Sequence, residues 1–410
     1  MLRVAELRDA GVGVTAAGAP GLNVVVAARN PSYAARAAAV REAAARADRE
    51  GSLDDPELDA AIAPNSLGSS SAAVGWRMSV MEPLPLFGQR GLKRRAALAD
   101  ADAMRGGYDT ARLDLIREAR AAFYDDYHFE QARATALETL EWMRRARAAA
   151  LARYASGAAP QQDVLAADVE ISMLDHQAVM AERNRLLVEA RIRSLLHLDP
   201  FVPLPAPPDT LPLPDRDAAR LMIMRSNERS RPEFRSATAD VASERARWAL
   251  ARRQRLPETR IGFAFDRTET EREYRSMVMA SIQAPLSLGR HAAAEREARA
   301  ALDGASARLD ATRDELLRRI TEASTEFEES LHELEVLRDG LLPAAERSLT
   351  AARAGYEAGH ASFDGVIRAV RDVLNARLEY HRTLTSVNQA HADLERALGG
   401  PAPFAGEEQR

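Results

Sequence analysis

The side chains that could support chemistry are eight histidines and 61 aspartates and glutamates, but their spacing matches no catalytic or metal-binding pattern. His332-Glu333 lacks the second histidine that a zinc-protease helix needs. Gly11-Val12-Gly13 has neither the spacing nor the preceding strand of a dinucleotide-binding loop, and the sequence contains no Gly-Lys-Ser/Thr phosphate loop. There is no cysteine to act as a nucleophile or a thiolate ligand. We therefore expect no catalytic residue, no cofactor and no metal site, and we predict that the chain is not an enzyme.

A different kind of landmark, a tyrosine followed three residues later by a glycine, occurs twice. Tyr154 precedes Gly157, and Tyr356 precedes Gly359, so the two pairs lie 202 residues apart. Proline landmarks recur at an offset of 201: Pro31 with Pro232, and Pro56 with Pro257. A repeat over such a distance indicates two copies of one long supersecondary unit.

The composition favours long helices over a thick globular core. Aromatic residues make up only 5% of the chain, whereas alanine, arginine, leucine and acidic residues dominate. Acidic residues exceed basic ones by five, so the net charge gives no reason to expect a nucleic-acid partner. The arginine-rich stretches are best interpreted as solvated helix faces.

One predicted helix of the second copy carries a seven-residue repeat. Ile320, Phe327, Leu334 and Leu341 form one row of this repeat, and Leu317, Ser324 and Leu331 form a second row. A sustained repeat of this kind indicates a left-handed coiled coil against a neighbouring helix. Pro343 lies just beyond the repeat and should kink or locally unwind this helix.

In each copy, a stretch with a period near two separates the first helix from the second. We predict strands near 56–63 and 72–84 in the first copy, and near 258–266 and 274–286 in the second. Ile261, Phe263 and Phe265 would share one face of their strand. Strands of about ten residues can cross a bilayer when tilted, but the same pattern would also suit soluble hairpins that cap a helical bundle.

The predicted organisation has five parts. They are an N-terminal segment at 1–28, a first repeat at 29–198, a proline-rich linker at 199–214, a second repeat at 215–398 and a flexible tail at 399–410. Glu6 and Asp9 lie where a secretory signal would carry positive charge, so we expect no signal peptide in the first part.

These landmarks resemble those of the TolC-type outer-membrane efflux protein family. They include Asn30-Pro31 before the first helix, Pro56 before the first strand, and the Tyr154-to-Gly157 turn that leads to Asp163-Val164-Leu165. The segment Pro85-Leu86-Phe87-Gly88-Gln89-Arg90, at the exit of the second strand, resembles the heavy-metal efflux branch of that family. The second copy offers matching prolines and the Tyr356-to-Gly359 turn.

The resemblance implies a mainly helical chain with a small β part, built from two repeats. Three chains would form a homotrimer with one 12-stranded β-barrel in the outer membrane and a helical tunnel in the periplasm. The expected function is that of a passive export duct in a tripartite efflux system, with heavy-metal cations as the favoured cargo. The expected partners are outer-membrane lipid, a periplasmic adaptor protein and an inner-membrane pump.

The resemblance also assigns roles to individual residues. The turns that would contact the adaptor carry Tyr154, Gly157, Asp163, Tyr356, Gly359, Ser362 and Asp364. Gly157 and Gly359 suit left-handed helix ends, and Asp163 could cap the helix that follows it. Arg368 lies where acidic residues often constrict the aperture in this family, which makes it the aperture candidate.

A second class of function remains compatible with the residues alone. A soluble coiled-coil scaffold, whose hairpins never enter lipid, would explain the low aromatic content and the lack of a clear signal sequence. The location of the chain in the cell and its oligomeric state would distinguish this alternative from the channel.

Overall fold

Long helices and four strands make up the computed structural model, which describes residues 26–64, 74–84, 87–267, 274–285 and 287–400. The helices are α1 (Pro31–Gly51), α2 (Gln89–Ala155), α3 (Gln161–Leu195), α4 (Arg216–Arg225), α5 (Pro232–Arg253), α6 (Leu288–Val336), α7 (Leu342–Glu357) and α8 (Phe363–Leu398). The strands are β1 (Glu57–Pro64), β2 (Val74–Leu84), β3 (Glu258–Arg267) and β4 (Tyr274–Gln283). This content confirms the prediction of a mainly helical chain with a small β part.

Several predicted segments end elsewhere than expected. The strand predicted at 274–286 stops at Gln283, because Pro285 has no N–H with which to continue the ladder. The second repeat, predicted to start at 215, begins with two helices, α4 and α5, and Asn227 caps a short 3-10 turn between them. Residues 1–25, 72–73, 85–86, 286 and 401–410, on which some of the predictions fall, lie outside the described ranges.

The chain divides into two compact units. The first, here called the helical unit, contains Met1–Ala35, Thr110–Arg231 and Glu315–Arg410. The second, here called the strand unit, contains Arg36–Asp109 and Pro232–Asp314. No described helix has a stretch that is both long enough and apolar enough to cross a membrane.

The strand unit contains one antiparallel sheet with the order β1-β2-β3-β4. Its register aligns Leu58, Val80, Phe263 and Val278 across the four strands, and the same face carries Ile62, Met78, Ile261, Phe265 and Ile282. All nine of these side chains are exposed. The opposite face carries charged residues, including the ion pairs Arg77–Asp266 at 3.2 Å and Arg260–Glu57 at 3.0 Å. The sheet therefore has one apolar face and one polar face.

The helical unit is held together by cores that run between its helices. One core gathers Tyr127, Phe327, Leu331, Leu334 and Leu394, all at most 3% exposed. The predicted heptad row is thus buried at Phe327 and Leu334, but Leu341 is 51% exposed. Residues Leu337–Leu341 form a π-helical turn just before Pro343, which shifts the helix phase and buries Leu337 instead. The second predicted row also fails at Leu317, which is exposed while Leu316 is buried.

Candidate functional site

The two Tyr-x-x-Gly turns of the helical unit have the same backbone geometry. Gly157 ends α2 with φ of 72°, and Gly359 ends α7 with φ of 77°, both in the left-handed region. The Gly157 N–H donates to the carbonyl of Tyr154 at 2.9 Å, and the Gly359 N–H donates to that of Tyr356 at 3.1 Å. In each turn the next N–H reaches back five residues, which completes a Schellman motif. The prediction of left-handed helix ends at these two glycines is confirmed.

The helices that follow the two turns begin differently. Ser362 caps α8, since its hydroxyl accepts a hydrogen bond from the Gly365 N–H at 3.2 Å. In the first copy, α3 begins after Pro160, and no side chain caps it. The expectation that Asp163 caps this helix is therefore wrong. Asp163 lies one turn too late, inside the helix, where a negative charge favours the N-terminal end of the helix dipole.

Tyr356 is the most connected of the predicted site residues. The Arg153 guanidinium lies 4.5 Å from the centre of the Tyr356 ring and donates to the Tyr356 carbonyl at 2.9 Å. The ring also packs against Phe363 at 5.3 Å, and the hydroxyl lies 3.5 Å from an Asp163 oxygen. Burial raises the pKa of the Tyr356 hydroxyl above its usual range, although Arg153 opposes this shift. Tyr356 thus joins the end of α7 to both helices of the first copy.

The remaining predicted residues face solvent. Tyr154 is 43% exposed, although it occupies the same place in its turn as Tyr356. Asp364 and Arg368 form an ion pair at 2.8 Å with 70% and 68% of their side chains exposed. This pair joins neighbouring turns of α8, and neither charge pairs with another helix among the described residues. Exposure of this kind suits a surface for a partner, and it gives Arg368 little structural role.

Two ion pairs near these turns were missed by the sequence reasoning. Arg371 of α8 pairs with Glu170 of α3, whose side chain is only 7% exposed. Arg147 of α2 pairs with Asp168 of α3. Arg371 and Glu170 lie 201 residues apart, so no local pattern could reveal their contact. Glu170 could have been noticed as a charge on the helix stripe that also carries Ala167 and Leu174, both of which are buried.

An apolar core lies beneath these polar contacts and fixes the four helices to one another. Phe363 is 3% exposed and packs in a cluster with Met143, Val164, Leu174 and Ile367. The cluster draws on α2, α3 and α8, with Leu349 and Tyr356 of α7 packed against it. The positions of the exposed turn residues are therefore set by a rigid base.

The chemistry available here is that of recognition. Within the described ranges, no group of three acidic or histidine side chains is arranged to hold a metal ion. The exposed turns present a tyrosine ring, backbone groups and charges of both signs. Such a surface can form hydrogen bonds and stacking contacts with another protein.

Comparison with known proteins agrees with this geometry. Residues 24–196 and 225–400 match the model of the family described as "Outer membrane efflux protein". The two matched segments cover most of the chain and correspond to its two copies. The resemblance found from the residues is thereby confirmed.

Individual relatives give the same picture. The cobalt-zinc-cadmium resistance protein CzcC of Cupriavidus metallidurans is 29% identical over 192 residues, which span 46% of this chain and 44% of CzcC. The structure of CusC has a TM-score of 0.82 at 16% identity and covers 93% of this chain and 92% of that one. VceC of Vibrio cholerae gives 0.80 at 17% identity, with coverage of 94% and 96%. The fold is therefore that of these outer-membrane channels, and the chain belongs to the outer membrane efflux protein family.

Proposed function

We propose that this chain is the outer-membrane channel of a tripartite efflux system, a passive export duct that works with a periplasmic adaptor and an inner-membrane pump. Three copies would form a homotrimer, with a 12-stranded barrel in the membrane and a helical tunnel in the periplasm. The family assignment supports this proposal and its prediction that the chain is not an enzyme. We retain the expected division into repeats at 29–198 and 215–398 around the linker at 199–214.

The two faces of the sheet carry this proposal. Leu58, Val80, Phe263 and Val278 form an apolar row that stays exposed in the described part of the strand unit, whereas the other face holds ion pairs. Strands of 8–11 residues with this alternation fit a wall between lipid and water. The soluble scaffold offers no reason to expose such a face.

The open edges of the sheet argue for the trimer. In the described part of the strand unit, β1 and β4 each pair on one side only. An unpaired backbone group in lipid costs several kcal/mol, so a four-stranded sheet must close by pairing with other copies. Joining the β4 of one chain to the β1 of the next would remove every edge at once.

Fractionation, native mass and conductance test the channel directly. We expect the full chain in the outer-membrane fraction, a trimer by native mass spectrometry, and a conducting pore when the purified protein is added to a lipid bilayer. A monomer in the soluble fraction would refute the channel and support the scaffold. A membrane-bound trimer without conductance would support the trimeric assembly and refute the export duct.

We further propose that the two turns contact the adaptor through Tyr154, Gly157, Asp163, Tyr356, Gly359, Ser362 and Asp364, with Arg368 as the aperture candidate. Tyr154, Gly157, Gly359, Ser362 and Asp364 are the exposed members of this set. The side chains of Tyr154, Ser362 and Asp364 should make the closest contacts. The rigid apolar core below them supports this proposal, because a preorganised surface loses little entropy on binding.

The absence of cysteine from the chain makes cross-linking unambiguous. Tyr154→Cys and Ser362→Cys, each labelled with a short photo-activated cross-linker, should capture the adaptor in cells. Arg112→Cys is the matched control, since Arg112 is exposed on α2 in the helical unit, far along the chain from either turn. Equal capture by all three variants would refute docking at the turns.

Heavy-metal cations are the proposed cargo. The name of CzcC as a cobalt-zinc-cadmium resistance protein and the Pro85-to-Arg90 segment support this class. Pro85 and Leu86 of that segment lie outside the described residues. Deleting the gene should increase sensitivity to cobalt, zinc or cadmium while leaving sensitivity to organic antibiotics unchanged. The opposite pattern would indicate that the cargo is organic, and it would not contradict the proposed export duct.

A further inference from the structure

Basic residues are concentrated in three of the four segments that leave one end of the sheet, where Glu50, Asp54, Asp55 and Glu258 also lie. Antiparallel pairing places the start of β1, the end of β2, the start of β3 and the end of β4 at this end. Between Glu82 and Asp100 the sequence has four basic residues and no acidic one. Between Glu244 and Glu258 it has five arginines and again no acidic residue. A chain with a net charge of −5 therefore concentrates positive charge in the segments that leave the sheet.

We call this group the basic belt. Its members are Arg90, Lys93, Arg94 and Arg95 after β2, Arg252, Arg253 and Arg255 before β3, and Arg290 after β4. All eight side chains are exposed. The fourth segment, which leads into β1, carries both signs of charge and is not part of the belt.

Much of the belt has no carboxylate partner. Arg252 and Arg255 share Glu295, at 3.8 Å for Arg252. Among the described residues, no carboxylate lies within 4.0 Å of Arg90, Lys93, Arg94, Arg95 or Arg290, although ion pairs are common elsewhere in the chain. Exposed cations without partners keep their charge available to a ligand.

The belt cations are also placed against the preference of their own helices. Arg90 lies in the first turn of α2, and Arg290 lies in the first turn of α6, and neither turn contains an acidic residue. The N-terminal end of a helix carries partial positive charge, so a cation there is unfavourable for the helix. Helix stability therefore does not explain these positions, and an external anion would.

The segments that carry the belt are tied to one another. Arg253 donates to the carbonyl of Phe87, and the Gln89 side chain donates to the carbonyl of Arg253 at 3.2 Å. Gly88, between Phe87 and Gln89, has φ of 69°, and a Cβ there would lie 2.5 Å from an Arg253 nitrogen. The positive φ favours glycine at this junction, and the hydrogen bonds hold the end of α5 beside the start of α2. The belt is therefore a defined surface.

We propose that the basic belt binds the headgroups of phospholipids with net negative charge, such as phosphatidylglycerol, in the membrane leaflet that meets this end of the sheet. This inference rests on the proposed function, since the apolar face of the sheet would place the belt at the depth of the headgroups. Guanidinium groups pair well with phosphate, and each cation near an anionic surface favours binding about fivefold. The belt would hold the barrel at a fixed depth in the membrane.

The test uses the full-length trimer, freed of lipid in detergent and offered equal amounts of phosphatidylglycerol and phosphatidylcholine. Native mass spectrometry counts the molecules of each lipid that remain bound. We expect phosphatidylglycerol to be preferred by about tenfold or more, given a gain of about fivefold per engaged cation. The preference should weaken as NaCl rises from about 0.1 M, where the Debye length is about 10 Å. Equal retention of the two lipids would overturn the proposal.

Three variants locate the effect. Combining R90Q, K93Q, R94Q and R95Q should bring the preference close to parity. Combining R90K, R94K and R95K keeps the positive charge and should preserve the preference for phosphatidylglycerol. This variant therefore separates the effect of lost charge from the effect of misfolding. The control combines R112Q, R145Q, R183Q and R347Q, which removes the same charge from exposed positions of the helical unit and should change nothing. If the control loses as much preference as the belt variant, net charge alone accounts for the binding and the belt is refuted.

Two further measurements separate the possible failures. Inorganic phosphate should displace the lipid no better than chloride at equal ionic strength; full displacement would identify a site for free phosphate and overturn the lipid assignment. Conductance in pure phosphatidylcholine bilayers records the channel independently of the belt. A conducting pore without lipid preference refutes the belt alone, whereas a chain that forms neither trimer nor pore refutes the proposed function and the belt with it.

Discussion

The two hairpins of the helical unit, α2–α3 and α7–α8, share a turn but differ in what the turn touches. Both end their first helix with a left-handed glycine and the same pair of backbone hydrogen bonds. Yet Tyr154 is 43% exposed, whereas Tyr356 contacts Arg153, Asp163 and Phe363. The repeated part is the backbone, and the divergent part is the set of side chains. A duplicated fold can thus keep its backbone geometry while the tyrosine of one copy packs against neighbouring helices and the tyrosine of the other faces solvent.

The largest expected difference between the hairpins lies at the first residue of the second helix. Phe363 is 3% exposed in the core, whereas Gln161, at the same place in the first copy, faces solvent. Phe363→Ala should lower the free energy of unfolding by about 3–5 kcal/mol, because it leaves a cavity. Gln161→Ala should change it by less than about 0.5 kcal/mol. Urea unfolding of the purified chain in detergent, followed by helical circular dichroism, measures both, and similar losses would contradict the asymmetry.

A second difference, between the long helices α2 and α6 of the two copies, concerns a buried charge. Asp126 of α2 is 4% exposed, and one of its oxygens accepts no hydrogen bond among the described residues. Burial raises its pKa to about 6, with Arg185 opposing and Glu189 and Glu130 reinforcing the shift. Because the pKa in the folded state exceeds the unfolded value of 3.8, the neutral form favours folding. The stability that Asp126 contributes at low pH is therefore lost as the pH rises through about 6.

Asp126→Asn should consequently stabilise the chain by about 2 kcal/mol at neutral pH, and this gain should vanish below about pH 4. Urea unfolding across this pH range provides the measurement. Glu328 of α6 is the control, because it is partly exposed and already paired with Arg216 and Arg220. Glu328→Gln should not reproduce the gain of Asp126→Asn at neutral pH. A stabilisation by Asp126→Asn that is constant with pH would refute the buried-charge explanation.

The shared backbone gives the next prediction. Gly157→Ala and Gly359→Ala should each lower the free energy of unfolding by about 1 kcal/mol, because alanine is strained at positive φ. Neither site has an atom within 4 Å of an added Cβ, so crowding should add nothing in either copy. Thermal unfolding of the two variants side by side tests this equality. A cost confined to one turn would mean that the two backbones are not equivalent.

The smallest effect is expected at the exposed pair of the second hairpin. Arg368→Gln breaks its pair with Asp364, but both side chains are mostly exposed, so stability should change by less than about 0.5 kcal/mol. Ala166 holds the corresponding place in the first copy and has no charge to lose. Arg371→Gln should lower the stability more than Arg368→Gln does, because it leaves the buried Glu170 unpaired. Thermal unfolding of the two variants measures this difference. A larger loss at Arg368 would contradict its assignment to the surface.

The sequence predicted features that depend on neighbouring residues. Alternation around Phe263 and Phe265 predicted the strand and its apolar face, and the glycines after the two tyrosines predicted left-handed turns. Asp163 was misassigned because a capping residue must directly precede the helix, whereas Asp163 lies inside the first turn of α3, which begins at Gln161. The Arg371–Glu170 pair lay beyond prediction because it joins distant parts of the chain. Leu341 failed for another reason, since the π-helical turn changed the period on which the prediction relied.

That π-helical turn also determines the angular position of every residue that follows it. Each residue of an α-helix advances the side-chain direction by about 100°, so the residue added by a π turn rotates the whole of α7 relative to an unbroken helix. Tyr356 follows Leu341 by 15 residues, or about 22 Å of helix. Removing one residue from the turn would therefore swing the Tyr356 ring away from Arg153 without altering either residue. The number of residues in the π-helical turn therefore sets the orientation of the contact between Tyr356 and Arg153, although the turn lies about 22 Å away along the helix.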